Sequence, residues 1–325
     1  MLAWMILAAI IGLGVAASST MVGLFIVEFH PKSEWDERIG WLQTLYGTGQ
    51  AAGLLLAAIF GEHANLALYL AALMMLPGFY FGLKKLPHKN SQRAHIRSQA
   101  HAVWHPMQLR PHSIVNILNN FHRLRWSGLR KLADKTHSIF SFYIVTVFLI
   151  MLSVWLVFNL YPLLMLHAFN IHAGLSSLYY GIGATIGIFA YPFSGSLAKR
   201  IGDLPVLLIG VIMVAISWLG MSYLAYFSVP YHALLIPAFF MLTPIAWSPL
   251  IVVGTSMAPK LSNLSNGEAI GIFNATIAIA SFFGALLAGC VAELLGYSTV
   301  ILLAAVIIIA GMICVLVLRR TIMVH

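Results

Sequence analysis

The sequence predicts an all-α membrane protein, a polytopic bundle of nine transmembrane helices, and three observations predict it. Of 325 residues, 61% are hydrophobic and 8% charged, with a mean hydropathy of +0.92. Soluble domains carry roughly 25% charged residues. The apolar residues gather into nine runs, near 2–27, 39–60, 65–83, 139–166, 175–198, 204–227, 233–253, 269–292 and 299–317. A helix needs roughly 20 such residues to cross about 30 Å of hydrocarbon, whereas barrel strands run about ten with strict alternation. Finally, threading those runs back and forth puts all 18 Lys and Arg on one side, as the cytoplasmic preference of cationic loops requires.

Taken in order, the first run opens Met1-Leu2-Ala3-Trp4 with no charged leader and stays apolar to Val27. It reads as a span, although Val15-Ala16-Ala17-Ser18 resembles a signal-cleavage site. Lys32 and Arg38 flank the second span, and Glu62 precedes the third. A basic stretch follows over 84–137. It holds Lys84, Lys85, Lys89, Arg93, Arg97, Arg110, Arg123, Arg125, Arg130, Lys131 and Lys135 against one acid, Asp134. This loop divides a partial amino-terminal bundle (1–83) from a six-helix bundle (138–325). Inside it Ile114, Ile117, Leu118, Phe121, Leu124, Leu129 and Leu132 recur at helical spacing among basic residues, the pattern of an amphipathic helix on the inner membrane surface. His101 and His105 share a helical face, but no Cys or second pair completes a metal set, and no metal or cofactor is expected.

Beyond the loop, Lys199, Arg200, Lys260, Arg319 and Arg320 fall on the same side as the basic stretch, and Glu293 on the other. The amino terminus is therefore expected outside and the carboxyl terminus in the cytoplasm, in a multi-pass plasma (cytoplasmic) membrane protein. The net charge of +9 sits in membrane-flanking loops, so the expected partners are the lipid bilayer and a small molecule, with no nucleic acid. Cys290 and Cys314 lie in separate apolar spans and suggest no disulfide framework. Oligomeric state leaves no mark in the sequence.

An internal repeat organises the spans. Shifted by 231 residues, Glu37-Arg38-Ile39-Gly40 meets Glu268-Ala269-Ile270-Gly271, Gly53 meets Gly284 and Glu62 meets Glu293, with eight identities in 26 positions. The three leading spans look like a copy of the last three. Parallel six-helix repeats describe one transporter class, and against that plan the first half is incomplete by three helices. The second span also carries a glycine pattern, Gly40, Gly49, Gly53-Leu54 and Ala57-Ala58. It resembles the antiporter motif in the fifth helix of the major facilitator superfamily, with Leu54 for the family's Pro and Ala57-Ala58 for its Gly pair. Gly195-Ser196-Leu197-Ala198-Lys199-Arg200-Ile201-Gly202-Asp203 is similar to the family's cytoplasmic loop between helices eight and nine, with Lys199 where the family usually has Asp. The resemblance implies a major facilitator-like fold, helices four to twelve, and a secondary transporter of the drug or metabolite efflux kind.

Small residues let helices approach closely, so Gly40, Gly49, Gly53 and Ala57, with their repeat partners Gly271 and Gly284, are expected to form packing seams. Gly195, Lys199, Arg200, Gly202 and Asp203 form the cytoplasmic loop motif. No Lys, Arg, Asp or Glu lies inside a span, and such residues are the usual markers of ion pathways. The remaining polar candidates are neutral and mixed with rings: Gln43, Tyr46, Gln50, Trp155, Asn159, Tyr180, Trp247 and Asn274. Apolar, aromatic linings with a few placed polar groups typify small-ligand sites. The expectation is a carrier of a neutral or amphipathic small molecule by alternating access, with a non-transporting remnant or membrane scaffold as the alternative. An intramembrane enzyme would need convergent His, carboxylate, Ser or Cys groups, and the spans offer no His-carboxylate set.

Overall fold

A computed structural model describes residues 22–59, 139–227 and 232–324, with seven helical positions between 69 and 84. The first span before residue 22, most of the third span and the central-loop amphipathic helix lie outside the described residues. The chain sorts into two units, residues 1–61 with 138–325, and residues 62–137. In the smaller unit, Lys84 Nζ donates to the Tyr80 hydroxyl at 2.7 Å. The larger unit carries the features described below.

After helical residues 22–29 and a 3-10 turn at Lys32–Glu34 come eight helices: α1 (Trp35–Ile59), α2 (Ile139–Phe158), α3 (Tyr161–Phe169), α4 (Ala173–Ile201), α5 (Asp203–Tyr226), α6 (His232–Leu261), α7 (Asn266–Leu295) and α8 (Tyr297–Val324). The run 139–166 is two helices rather than one. Pro162 has no amide for the Phe158 carbonyl, so α2 stops there and α3 restarts with Pro in its first turn. Gly202, at φ 91°, closes α4 and opens α5, a left-handed backbone that strains any residue bearing a Cβ. Ser265 and Glu268 form a capping box that starts α7. The charged residues Asp36, Glu37, Arg38 and Lys260 belong to helices, although the hydropathy pattern places them in loops.

Nine spans were expected; among the described residues five helices, α2, α5, α6, α7 and α8, are long and apolar enough to cross a membrane. At 25 and 29 residues α1 and α4 are long enough, but they are diluted by Gly, Ser, Thr, Gln and Tyr. The two lie antiparallel. A Cβ added at Gly40 would stand 2.8 Å from the Tyr191 carbonyl oxygen, and one at Gly181 would meet Leu55 at 3.6 Å. Tyr143, Val154, Trp218 and Phe240 are fully buried in the core that α2 to α8 build. Ser153 donates to the Ala304 carbonyl at 2.7 Å, and Ser248 to the Gly187 carbonyl at 3.0 Å. Such bonds satisfy polar groups between helices where no water can. A smaller cluster of Val27, Trp35, Ile39, Tyr191, Val252 and Ile270 seats the start of α1 on α4, α6 and α7.

Candidate functional site

Where α1 meets α2, α4 and α6 the bundle encloses a cavity of about 330 Å³, lined by Gly47, Gln50, Trp155, Phe158, Tyr180, Ala184, Tyr191, Pro244 and Trp247. None of these is charged. Its walls are aromatic rings set edge to face: Trp155 on Trp247 at 5.9 Å and 84°, and Phe158 on Trp247 at 6.3 Å and 73°. Behind them Phe240 stacks on Tyr161 at 4.0 Å and meets Tyr180 edge-on at 5.7 Å. Edge-to-face pairs bring a ring's positive rim to its neighbour's negative face, so the box holds its shape. The Gln50 amide nitrogen donates to the Tyr180 hydroxyl at 2.8 Å and bridges α1 to α4. Trp155 Nε1 is buried with no acceptor among the described residues.

Four of the eight polar candidates, Gln50, Trp155, Tyr180 and Trp247, line this cavity. The other four do not. Tyr46 precedes Gly47 by one residue, a 100° step around a helix of 3.6 residues per turn, and is 42% exposed. Gln43 is half-buried one turn before Gly47. Asn159, in the turn after α2, donates to the Ser281 carbonyl at 3.1 Å and ties α2 to α7. Asn274 is half-buried in α7, which contributes no lining residue. Phe158, Tyr191, Gly47 and Pro244 line the cavity although residue type alone did not single them out. Helical spacing held the signal: Gly47, Gln50 and Leu54 share one face of α1, and Tyr180, Ala184 and Tyr191 one face of α4.

The glycines divide by position. Gly40 packs on the α4 backbone, and a Cβ at Gly284 would lie 3.0 Å from the Trp155 Cβ. At Gly49, Gly53 and Gly271 a Cβ would meet nothing within 4 Å, so the continuous seam expected from the sequence is not formed there among the described residues. The side chain of Ala57 lies outside the described residues.

A charged cluster closes one end of the bundle. Lys260 Nζ, in the last turn of α6, donates to Asp36 Oδ2 of α1 at 2.7 Å and to Asp203 Oδ2 of α5 at 2.9 Å. Ser256 donates to the other Asp36 oxygen. Asp36 is only 6% exposed. Beside it Lys199 meets Glu37 at 3.3 Å on the surface, and Gly195 leaves room for the Asp36 backbone, into which a Cβ would collide. Of the loop motif, Gly195, Lys199 and Asp203 thus meet α1 or its partner Lys260, Gly202 makes the turn, and Arg200 is exposed. Asp36 and Lys260, absent from the sequence-derived candidates, are the cluster's centre. They lie 224 residues apart, and no local pattern joins them.

A family model described as the Major Facilitator Superfamily matches residues 1–265 and again 143–322. No curated protein matches in sequence. Among solved structures, the major facilitator superfamily proton:xylose symporter XylE, bound to 6-bromo-6-deoxy-D-glucose, superposes with a TM-score of 0.65 at 16% identity, covering 93% of this chain and 68% of its own. A bacterial homologue of the iron transporter ferroportin, in an outward-facing state, gives 0.48 at 12% identity, covering 96% and 89%. At such identities the likeness to XylE speaks for the fold alone.

Proposed function

Because the chain belongs to the Major Facilitator Superfamily, whose polytopic bundles move small molecules by alternating access, we propose that the aromatic cavity is its substrate site and that its substrate is neutral or amphipathic. The observation that carries this reading is the lining: five aromatic rings, one amide and no charged group in about 330 Å³. A buried unpaired charge is costly, so a cavity without a counter-charge selects against ions. Gln50, Trp155, Tyr180 and Trp247 would contact the substrate. The α1–α4 seam divides the two halves that rock against each other, and the Asp36–Lys260–Asp203 cluster would have to part whenever the cavity opens at that end. We assign nine spans, a plasma-membrane location and an external amino terminus, on the one-sided charge pattern and the family resemblance.

The test is flux in sealed vesicles carrying the purified chain, with neutral aromatic fluorophores and charged analogues as probes. Saturable transport of a neutral probe is expected, falling at least tenfold in Trp247→Ala without loss of folded yield. Transport of charged probes alone, or transport indifferent to Trp247, overturns the reading. A folded protein that moves no probe would instead support a non-transporting scaffold.

A further inference from the structure

Resting on the reading of this cavity as the substrate site, we infer that its preferred ligand is a neutral aromatic carboxamide, its ring against the side chains of α2 and α6 and its amide held by Gln50, Tyr180 and Tyr191. The lining divides by helix. From α2 and α6 come Trp155, Phe158, Pro244 and Trp247, which are bulky and apolar, whereas the amide and both phenols come from α1 and α4.

The polar groups on α1 and α4 are only partly used. The Gln50 amide nitrogen donates to the Tyr180 hydroxyl at 2.8 Å, and this bond is exposed. It occupies one N–H and one phenol lone pair, so the Gln50 carbonyl oxygen can still accept and the Tyr180 O–H can still donate. Turning the amide over exchanges those roles and again leaves a donor and an acceptor. Tyr191 supplies a further donor. It is only 5% exposed, yet its hydroxyl makes no hydrogen bond among the described residues and, unlike the Trp155 N–H, is not sealed from solvent. Its ring lies across Gly47, where a Cβ would stand 2.7 Å from Tyr191 Cε2.

Two phenol donors beside one carbonyl acceptor complement a carboxamide, whose C=O accepts from the tyrosines while its N–H donates to Gln50. A ketone of the same outline would set a methyl group against the Gln50 carbonyl and leave that acceptor unpaired. A carboxylate would enter charged and meet no cation among the lining residues, a costly burial. Trp155 and Trp247, 5.9 Å apart at 84°, offer the ligand's ring a face and an edge.

The experiment uses the full chain in lipid nanodiscs and equilibrium dialysis, with empty nanodiscs as the blank. The probes are benzamide, acetophenone and benzoate, which share an outline and differ in the group beside the carbonyl. Benzamide is expected to bind about tenfold more tightly than acetophenone, the equivalent of about 1.4 kcal/mol, and benzoate should not compete. Gln50→Met deletes the acceptor and should bring benzamide and acetophenone to within about twofold of each other. Tyr191→Phe keeps the ring and deletes the O–H, so both probes should weaken roughly fivefold, the worth of one neutral hydrogen bond, with their ratio kept. Equal affinity of the wild type for benzamide and acetophenone overturns the inference without recourse to any variant. So does absence of benzamide binding, tighter binding of benzoate, or an unchanged ratio in folded Gln50→Met. Saturable flux of another neutral solute through a chain that ignores benzamide would sink this inference and leave the transport reading standing. Selective benzamide binding in a chain that moves no solute would do the reverse.

Discussion

Lys260 places one positive charge between two carboxylates, 2.7 Å from Asp36 and 2.9 Å from Asp203. Each carboxylate would be unfavourable alone, because Asp36 is buried and Asp203 half-buried. Removing the ammonium leaves two like charges facing each other with little solvent, so Lys260→Met should cost about 3 kcal/mol, read as a lower melting temperature in detergent. Combining it with Asp36→Asn and Asp203→Asn should recover most of that loss, since a neutral hydrogen-bonded set needs no counter-ion. Lys199→Met is the control. Its partner Glu37 is 46% exposed and Lys199 itself 52%, so the pair should matter by less than about 1 kcal/mol. A Lys199 effect as large as that of Lys260 would show that burial is not what makes the cluster strong. Residue type and span position singled out eight polar candidates, because amides and large rings in an oily helix have few reasons to be there; Gln50, Trp155, Tyr180 and Trp247 line the cavity and the other four do not. Type and position could not reveal the cluster, whose members look like ordinary flanking charges until α1, α5 and α6 are brought together.

At the scale of elements, the repeat was legible but its packing was not. Gly40 and Gly271 are equivalent under the repeat, as are Gly53 and Gly284, yet Gly40 packs on α4 and Gly284 on α2 while Gly271 and Gly53 face open space. Sequence symmetry therefore preserved the glycines while their neighbours changed. Opposite signs follow for the same substitution on one helix. Gly40→Ala drives a Cβ to 2.8 Å from a backbone carbonyl that cannot turn aside, and should destabilise by about 1–3 kcal/mol. Gly53→Ala meets nothing and should gain about 0.5–1 kcal/mol from reduced backbone entropy. Thermal unfolding of the two variants in one detergent decides the matter. A loss at Gly53 matching that at Gly40 would place another helix against the open face of α1. The split between α2 and α3 has a local cause that hydropathy does not register: an apolar stretch stays apolar across Pro162, but the hydrogen-bond ladder does not.

For the whole molecule, helix direction and charge can be combined. Asp36 at the start of α1, Asp203 at the start of α5 and Lys260 at the end of α6 meet directly, and Lys199 at the end of α4 joins them through Glu37. The Tyr143 hydroxyl bonds the Gly254 carbonyl while Trp155 meets Trp247, so α2 runs against α6. Ser153 bonds Ala304, and Gly311 packs on Ile150, so α8 runs against α2 and ends, with Arg319 and Arg320, at the same end of the bundle as the last turn of α6. One end of this unit therefore collects Lys32, Arg38, Lys199, Arg200, Lys260, Arg319 and Arg320. Moving cationic loops across a bilayer is disfavoured, and such an end normally stays in the cytoplasm. Reporters fused after His325 or inserted near Gln108 should read cytoplasmic, and one ahead of Met1 external. The insertion near Gln108 is the sharper test, because the central loop carries 11 of the 18 Lys and Arg and is reached through a span count that the described helices do not fix. An external reading there beside a cytoplasmic carboxyl terminus would change the number of crossings between residue 108 and the tail. An external reading at both would invert the bundle and place the Lys260 cluster at the outer gate.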